Sequence, residues 1–278
     1  MSSPNLITAA ELHARLDDPA LQILDATVHL SFDEQGAHVA SGRADHLERH
    51  IPGAVFADQI VDLSDPDGEA PFAAAPSERF ATVVGDLGVG DDSTVVVYDA
   101  VNGIWATRLW WQFGLEGFDD VVVLDGGLRA WTDAGYPTEA GERSAPATTF
   151  TPRRRPERLA STADVGAGID DPTVLLVNAL DRESFANGHI PGSVNVPFGD
   201  LVDGDGQLKP VGELRAIFES VGALDASVRP VTYCGGGIAA TTAAFALRAV
   251  GREDSAVYDG SMNAWTADPG RPVSRVAG

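Results

Sequence analysis

The sequence predicts an α/β protein of two tandem domains, each a mostly parallel β-sheet flanked by helices. Two observations carry this prediction. Short apolar segments alternate with helix-like segments along the chain, which is typical of parallel sheets covered by helices. Three motifs also occur twice, in the same order and at nearly the same spacing, which indicates that one domain has been duplicated.

The repeated motifs are a HIPG turn, a strand that ends in tyrosine, and a strand followed by a short segment that ends in tryptophan. They read HIPGAV (50–55) and HIPGSV (189–194), VVVYDAVNG (95–103) and PVTYCGGG (230–237), and VVVLDGGLRAW (121–131) and SAVYDGSMNAW (255–265). In each HIPG turn the proline fixes φ and the glycine permits a tight bend. The domains are therefore expected at 1–143 and 158–278, joined by an exposed linker at 144–157.

The elements of the second copy follow in order from its sequence. We expect strands at 173–179, 229–234 and 255–260, a helix over 213–222 with Gly222 as its C′ residue, and a helix that begins near Ile238. Cys234 therefore lies between the end of a strand and the start of a helix. In parallel sheets of this kind, active sites gather at the carboxyl ends of the strands.

The composition predicts an acidic, cytoplasmic protein. The 278 residues include 41 acidic and 19 basic ones, for a net charge of -22, and Lys209 is the only lysine. Such a surface repels nucleic acid and anionic membranes, and we expect a halophilic protein of haloarchaeal source, because molar salt screens the self-repulsion. A single cysteine forms no internal disulfide, and the chain shows neither a signal peptide nor an apolar run of membrane-spanning length, so we expect a cytoplasmic location.

The loop that follows Cys234 is suited to holding an anion. Its three glycines can curl so that successive N–H groups point inward, and the next helix adds the positive end of its dipole. Both effects favour thiolate over thiol, which makes Cys234 a candidate nucleophile; the alternative is a small, buried, inert cysteine. The candidate cradle consists of the backbone amides of Gly235, Gly236, Gly237, Ile238 and Ala239. The first copy has Asp99 at the cysteine position, where we expect a helix cap without a nucleophilic role.

Several cysteine chemistries fit this loop poorly. A phosphatase loop of the form Cys-x5-Arg needs an arginine where this chain has Ala240. A cysteine protease needs a histidine base, but His189 belongs to a turn present in both copies, so we expect a structural role for it. One cysteine and six scattered histidines indicate no zinc site, and no metal or organic cofactor is expected. Sulfane sulfur transfer through a cysteine persulfide fits, because it needs a thiolate and an anion cradle but no strong base.

With these motifs the chain resembles the tandem-domain rhodanese family, the thiosulfate and 3-mercaptopyruvate sulfurtransferases. The resemblance rests on HIPGA and HIPGS, on LDGGLRAW and YDGSMNAW, and on the loop CGGGIA, and it covers nearly the whole chain. It implies a silent N-terminal domain and a catalytic C-terminal domain in which Cys234 forms the persulfide. It also implies a small anionic sulfur donor and a thiol or cyanide acceptor as partners.

The chain departs from the family pattern around the expected donor site. Its uncharged loop is similar to the Cys-Gly-Ser-Gly loop of mercaptopyruvate-preferring members, but Gly236 replaces the serine. The family usually has Asp-x-Arg after the first strand of the catalytic domain and a second arginine further on. Here those positions hold Asn178, Leu180 and Ser184. Arg182 lies close by, and it either turns toward an anionic donor or is an exposed helix residue.

The first copy offers further candidates. Asp58 and Asp62 follow HIPGAV, where the family places acids near the domain cleft. In so acidic a chain we expect both to be solvated surface residues, with donor binding by Asp58 as the alternative. Three tryptophans are expected in the core and at the domain interface, with a role in the pocket as the alternative: Trp105, Trp110 and Trp111. The sequence does not decide whether Arg108, on the same stretch, reaches the cleft.

Three other functions stay open beside a sulfurtransferase. The missing arginines and serine favour a persulfide carrier or sensor that a partner protein loads and that turns over poorly alone. A phosphatase-like anion binder is disfavoured by Ala240, and a non-catalytic interaction module is disfavoured by the intact glycine loop.

Overall fold

The computed structural model describes residues 5–33 and 36–276, which form two compact units. Unit 1 comprises Met1–Asp65, Ala74–Arg154 and Asp205–Gln207; unit 2 comprises Pro66–Ala73, Arg155–Gly204 and Leu208–Gly278. Within the predicted linker, the change of unit falls between Arg154 and Arg155. Pro66–Ala73, from the first half of the chain, belongs to unit 2, and Asp205–Gln207, from the second half, belongs to unit 1. The repeats did not indicate this.

Unit 1 is built on a five-stranded parallel sheet with helices and a separate β-hairpin. Its elements are β1 (Leu6–Ile7), α1 (Ala9–His13), β2 (Leu21–Asp25), β3 (Val28–Asp33), β4 (Gly36–Ser41), α2 (Arg43–Glu48), β5 (Val55–Phe56), α3 (Ser77–Asp86), β6 (Thr94–Tyr98), α4 (Ile104–Leu115), β7 (Val121–Leu124) and α5 (Gly127–Asp133). The strand order is β1-β7-β6-β2-β5, and each neighbouring pair is parallel. The antiparallel hairpin of β3 and β4 was not predicted and has no counterpart in the described part of unit 2.

Unit 2 repeats the same architecture. Its elements are β8 (Leu159–Ala160), α6 (Thr162–Gly168), β9 (Val174–Asn178), α7 (Arg182–Asn187), β10 (Val194–Asn195), α8 (Val211–Ser220), β11 (Arg229–Tyr233), α9 (Ala239–Ala249), β12 (Ala256–Tyr258) and α10 (Ser261–Thr266). The order β10-β9-β11-β12-β8 is that of unit 1 read from the other edge, and all pairs are parallel. The predicted α/β fold with two parallel sheets is confirmed. Gly222 follows α8 with φ +77°, as expected of a C′ glycine.

The central strands are buried on both faces. Val95, Val96, Val97 and Tyr98 of β6 are each 0% exposed. Because successive side chains of a strand point to opposite faces, both faces of the sheet are covered. None of the helices in the described residues is long and apolar enough to cross a membrane.

The predicted linker is mostly exposed, but it is attached along unit 1. The Thr148 N–H donates to Gly85 O at 2.9 Å, and the Arg153 N–H donates to Glu116 O at 2.7 Å. Phe150 is only 6% exposed. Its ring packs against an aromatic cluster of Phe80, Phe113 and Phe118. The expectation of an exposed linker is therefore wrong at Phe150, because one large apolar side chain in a polar segment is enough to dock it.

Candidate active site

Cys234 directly follows β11, the middle strand of the unit 2 sheet, so it lies at the carboxyl end of that strand. The residue is 3% exposed, and Gly235 and Gly236 beside it are half-buried. Its main chain is held from both sides by α10. The Cys234 N–H donates to Ser261 Oγ at 3.0 Å, and the Met262 N–H donates to Cys234 O at 3.0 Å. The cysteine backbone is therefore fixed before any substrate binds.

The glycine loop directs its amides away from α10. The Asn263 N–H donates to Gly235 O at 2.9 Å, so α10 binds the carbonyls of both Cys234 and Gly235. In a trans peptide the next N–H points opposite to the carbonyl, and the chain contains no cis peptide in its described residues. The N–H groups of Gly235 and Gly236 therefore face the other way. Neither donates to an acceptor within the described chain, which leaves them able to bind an anion.

Gly237 is required by its backbone conformation and by its neighbours. Its φ is +79°, in the left-handed region that favours glycine. A Cβ at this position would lie 2.3 Å from Asp259 O and 2.7 Å from Asp259 Oδ1. Ile238 then caps α9, which begins at Ala239, close to where the sequence predicts.

Unit 1 holds an anion in the equivalent loop. Asp99 follows β6 at the cysteine position and is 2% exposed. Its two carboxylate oxygens accept hydrogen bonds of 2.9–3.1 Å from the N–H groups of Val101, Asn102, Gly103, Trp105 and Ala106. The predicted helix cap is confirmed. The strand-to-helix loop of this scaffold is thus an anion nest, and in unit 1 the chain fills it with its own carboxylate.

Residues 178–184 keep the backbone turn of the family but have no arginine at the family's two arginine positions. Asn178 is fully buried, and its Oδ1 accepts the Leu180 N–H at 2.8 Å, so the amide closes the same turn an aspartate would. Asn195 Nδ2 donates to the carbonyls of Asn178 at 3.1 Å and Leu180 at 2.8 Å. Leu180 Cδ2 lies 4.0 Å from where a Cβ of Gly235 would stand. An apolar side chain therefore borders the cysteine loop at the position of the family's arginine.

Arg182 lies on the surface and is paired. Its side chain is 73% exposed, and its guanidinium donates to Asp200 at 2.5 and 3.3 Å. The hydrogen bonds that Arg182 donates to Asp200, and the negative charge of that carboxylate, raise the pKa of Arg182 above its usual value. Ser184 lies in the first turn of α7, where its N–H donates at 2.9 Å to Oδ1 of Asp181, the N-cap residue of the helix. Of the two interpretations, the structure places Arg182 as an exposed helix residue.

Asp58 is not solvated, so that expectation is wrong. The residue is 6% exposed, and its Oδ1 accepts the N–H groups of Ile60 at 2.9 Å and Val61 at 3.0 Å. Its Oδ2 accepts Ser41 Oγ at 2.9 Å. The carboxylate replaces water with three internal donors, which is why it tolerates burial. Asp62 is half-buried.

The aromatic stretch of α4 is buried as predicted. Its tryptophans are 2–5% exposed: Trp105, Trp110 and Trp111. Arg108 is 1% exposed, and its guanidinium carbon lies 4.6 Å from the Trp111 ring centroid, a cation–π contact inside unit 1.

His189 has the contacts of a structural histidine, as predicted. Its Nδ1 donates to Phe185 O at 2.9 Å, and its ring stacks on that of Phe185 at 3.9 Å. The HIPG turn closes with the Ser193 N–H donating to Ile190 O at 3.2 Å, and Gly192 has φ +77°. Among the described residues, no three His, Cys, Asp or Glu side chains are grouped to hold a metal ion.

Sequence reasoning missed Ser261, whose hydroxyl accepts the Cys234 N–H. A signal was present in the repeat. The first copy reads LDGG at 124–127, and the second reads YDGS at 258–261, so a serine stands where the first copy has Gly127.

Two domains, each with a parallel sheet and a strand-to-helix loop at the end of its middle strand, and a cysteine in only one of the two loops, define a rhodanese-type protein. The model of the Rhodanese-like domain matches residues 8–134 and 161–268, one match in each half of the chain. The chain belongs to this family, and the resemblance drawn from its motifs is confirmed.

The similarity to named relatives covers nearly the whole chain. The chain is 33% identical to the 3-mercaptopyruvate sulfurtransferase of Escherichia coli K12 over 288 residues, covering 99% of this chain and 100% of that protein. It is 30% identical to the mitochondrial thiosulfate/3-mercaptopyruvate sulfurtransferase 1 of Arabidopsis thaliana over 309 residues, covering 99% and 79%. The crystal structure of SseA from Escherichia coli, a 3-mercaptopyruvate sulfotransferase with the rhodanese fold, superposes with a TM-score of 0.83 at 32% identity, covering 92% and 98%.

Proposed function

We propose that this chain is a sulfurtransferase that moves a sulfane sulfur from thiosulfate or 3-mercaptopyruvate to a thiol or cyanide through a persulfide on Cys234. One observation carries the proposal beyond family membership. The equivalent loop of unit 1 binds the Asp99 carboxylate through five backbone N–H groups. Cys234 follows β11 as Asp99 follows β6, so a thiolate or persulfide on it places a negative charge at the start of the equivalent strand-to-helix loop.

The first half-reaction loads the cysteine. With thiosulfate, the Cys234 thiolate attacks the outer sulfur, the S–S bond of the donor breaks, and sulfite leaves with the electron pair. With 3-mercaptopyruvate, the thiolate attacks the thiol sulfur and the C–S bond breaks. The carbon then takes the thiol proton to give pyruvate. Either donor leaves Cys234 as a persulfide anion, with no external oxidant or reductant consumed.

The second half-reaction removes the outer sulfur from the Cys234 persulfide. A thiolate or cyanide attacks the outer sulfur, the persulfide S–S bond breaks, and the Cys234 thiolate is regenerated with its electron pair. The amides of residues 235–239 stabilise the anion in both resting forms, so sulfur exchange at this site requires no strong base. Unit 1 takes no part in the covalent chemistry, because Asp99 fills its nest.

The experiment compares kcat/KM for thiosulfate and for 3-mercaptopyruvate, with cyanide or a thiol as acceptor, in wild type and Cys234→Ser. We expect turnover with at least one donor in the wild type and none in the variant. Intact-mass analysis after donor addition should detect one extra sulfur on the wild type only. A Cys234→Ser protein that still turns over would refute the persulfide.

A persulfide carrier is the second candidate, because the side chain that borders Gly235 is Leu180 and Arg182 is paired with Asp200. A loop bordered by an apolar side chain, where the family has an arginine, binds a small anionic donor weakly. In that case neither small donor supports turnover, while a cysteine desulfurase persulfidates Cys234. We also propose a cytoplasmic location for the protein in either role, since a free thiol persists there.

A further inference from the structure

Ser261 occupies a backbone conformation that is unfavourable for serine. Its φ is +48°, in the left-handed region, and the residue is completely buried at the start of α10. A side chain with a Cβ is retained in this region only where the surrounding structure compensates for the strain, and such residues cluster at functional sites.

Unit 1 shows that the backbone itself does not require a serine. The equivalent residue is Gly127, which has φ +58°. The hydrogen bond next to it is also the same in both units: the Leu128 N–H donates to Asp99 O at 3.1 Å, and the Met262 N–H donates to Cys234 O at 3.0 Å. The unit without a cysteine therefore builds this turn with glycine, and the unit with a cysteine builds it with a strained serine.

The Ser261 hydroxyl both accepts and donates a hydrogen bond. Its oxygen accepts the Cys234 N–H at 3.0 Å, and its proton is donated to Tyr258 O at 2.8 Å. The hydroxyl links the end of β12 to the end of β11. Together with the Met262 bond to Cys234 O, it fixes both main-chain polar groups of the cysteine and hence the direction of its Cα–Cβ bond.

We propose that Ser261 is a positioning residue for Cys234, holding the main chain of the cysteine so that its sulfur faces the amides of the glycine loop. The inference rests on the proposed sulfur transfer for its functional meaning. Ser261 contacts the backbone of the cysteine and not the reacting sulfur, so its effect is exerted through orientation.

Two variants separate this role from simple backbone strain. Ser261→Gly removes the hydroxyl and relieves the left-handed strain, whereas Ser261→Ala removes the hydroxyl and keeps the strain. We expect kcat to fall roughly 10- to 100-fold in both, with the KM of the donor little changed, because a misdirected nucleophile binds substrate normally but reacts slowly. Ser261→Thr keeps a hydroxyl and is expected to restore most of kcat wherever it is folded.

A second readout does not depend on turnover. The rate of Cys234 alkylation by iodoacetamide is measured at one fixed pH. In both Ser261→Gly and Ser261→Ala we expect this rate to fall several-fold, because the main chain of the cysteine no longer holds its sulfur in one direction. Thermal unfolding confirms that each variant is folded, and Ser261→Gly remains informative if Ser261→Ala is not.

The proposal is overturned if Ser261→Gly keeps the wild-type kcat and alkylation rate, since the serine would then serve stability alone. Failure of the proposed function looks different. In that case the wild type forms no persulfide with either donor, and the alkylation comparison still decides whether Ser261 orients the thiol.

Discussion

His46 Nδ1 donates a hydrogen bond of 2.9 Å to Asp25 Oδ2 in the interior of unit 1, where both side chains are 2% exposed. The Asp25 carboxylate also accepts the Tyr98 hydroxyl at 3.0 Å and the Thr27 N–H at 3.0 Å. Unit 2 has neither the histidine nor the aspartate of this pair. Phe185 stands four residues before the HIPG histidine of unit 2, as His46 does in unit 1. Asn178 ends β9, as Asp25 ends β2.

This pair predicts a strongly coupled double-mutant cycle. His46→Phe alone leaves a buried carboxylate short of one donor, and we expect the free energy of unfolding to fall by about 3 kcal/mol. His46→Phe combined with Asp25→Asn reproduces the unit 2 solution, so most of that loss should be recovered. Chemical denaturation of both single variants and the double variant measures the coupling. Strictly additive losses would show that the two side chains do not act as a pair.

The glycine loop predicts a contrast between two glycines. Gly237 and Gly103 have φ of +79° and +83°, so alanine at either position costs about 1–2 kcal/mol of backbone strain. A Cβ on Gly103 meets nothing within 4 Å, whereas one on Gly237 lies 2.3 Å from Asp259 O. Gly237→Ala should therefore lower the melting temperature further and abolish sulfur transfer, while Gly103→Ala keeps its activity. Equal activity in the two variants would mean that the loop tolerates displacement.

Leu180 predicts a gain of donor affinity on substitution. Because its Cδ2 borders the loop at Gly235, an arginine at this position can bring a guanidinium to the anionic donor. We expect Leu180→Arg to lower the KM for thiosulfate roughly tenfold, with an effect that weakens as salt is raised. Leu180→Met is the uncharged control of similar volume. If both variants have the same KM, charge at this position does not govern donor binding.

Tyr98 predicts a loss of stability at alkaline pH. Burial, and then the negative charge of Asp25, raise the pKa of Tyr98 well above its usual value; burial also raises the pKa of Tyr233. The folded protein thus binds these protons more tightly than the unfolded chain does. Their stabilisation is complete below about pH 10, the unfolded value, and falls as the pH rises further.

The measurement is the free energy of unfolding between pH 8 and 11.5, together with phenolate absorbance. Tyr98→Phe should flatten this alkaline decline, although it loses the bond to Asp25 at neutral pH. A wild type whose buried tyrosines ionise near pH 10 without any loss of stability would contradict the assignment.

The net charge of -22 predicts stabilisation by salt. At 1 M KCl the Debye length falls to about 3 Å, which screens repulsion between the exposed carboxylates. We expect the melting temperature to rise steadily from low to molar KCl. A melting temperature independent of KCl would remove the basis for a halophilic origin.

Much of the site could be predicted from the sequence, because its residues lie close together along the chain. The strand that ends at Tyr233, the glycines that follow, and the start of α9 lie within one short segment, so their order alone places Cys234 at the carboxyl end of a strand. The duplicated motifs supplied an internal comparison, from which the cap role of Asp99 followed. The residues that were misjudged depend on partners distant in sequence, as with Asp58 and Ser41, Phe150 and its aromatic cluster, and Arg182 and Asp200.

The sequence by itself determined the duplicated α/β scaffold, the single cysteine, and the glycines that let its loop turn, because propensity, periodicity and turn chemistry act over a few residues. Only the tertiary structure decided that Leu180 borders the loop and that Ser261 holds the cysteine backbone. Both contacts join segments that are far apart along the chain, and their geometry is set by how strands β9, β11 and β12 pair in the sheet, which no local pattern specifies.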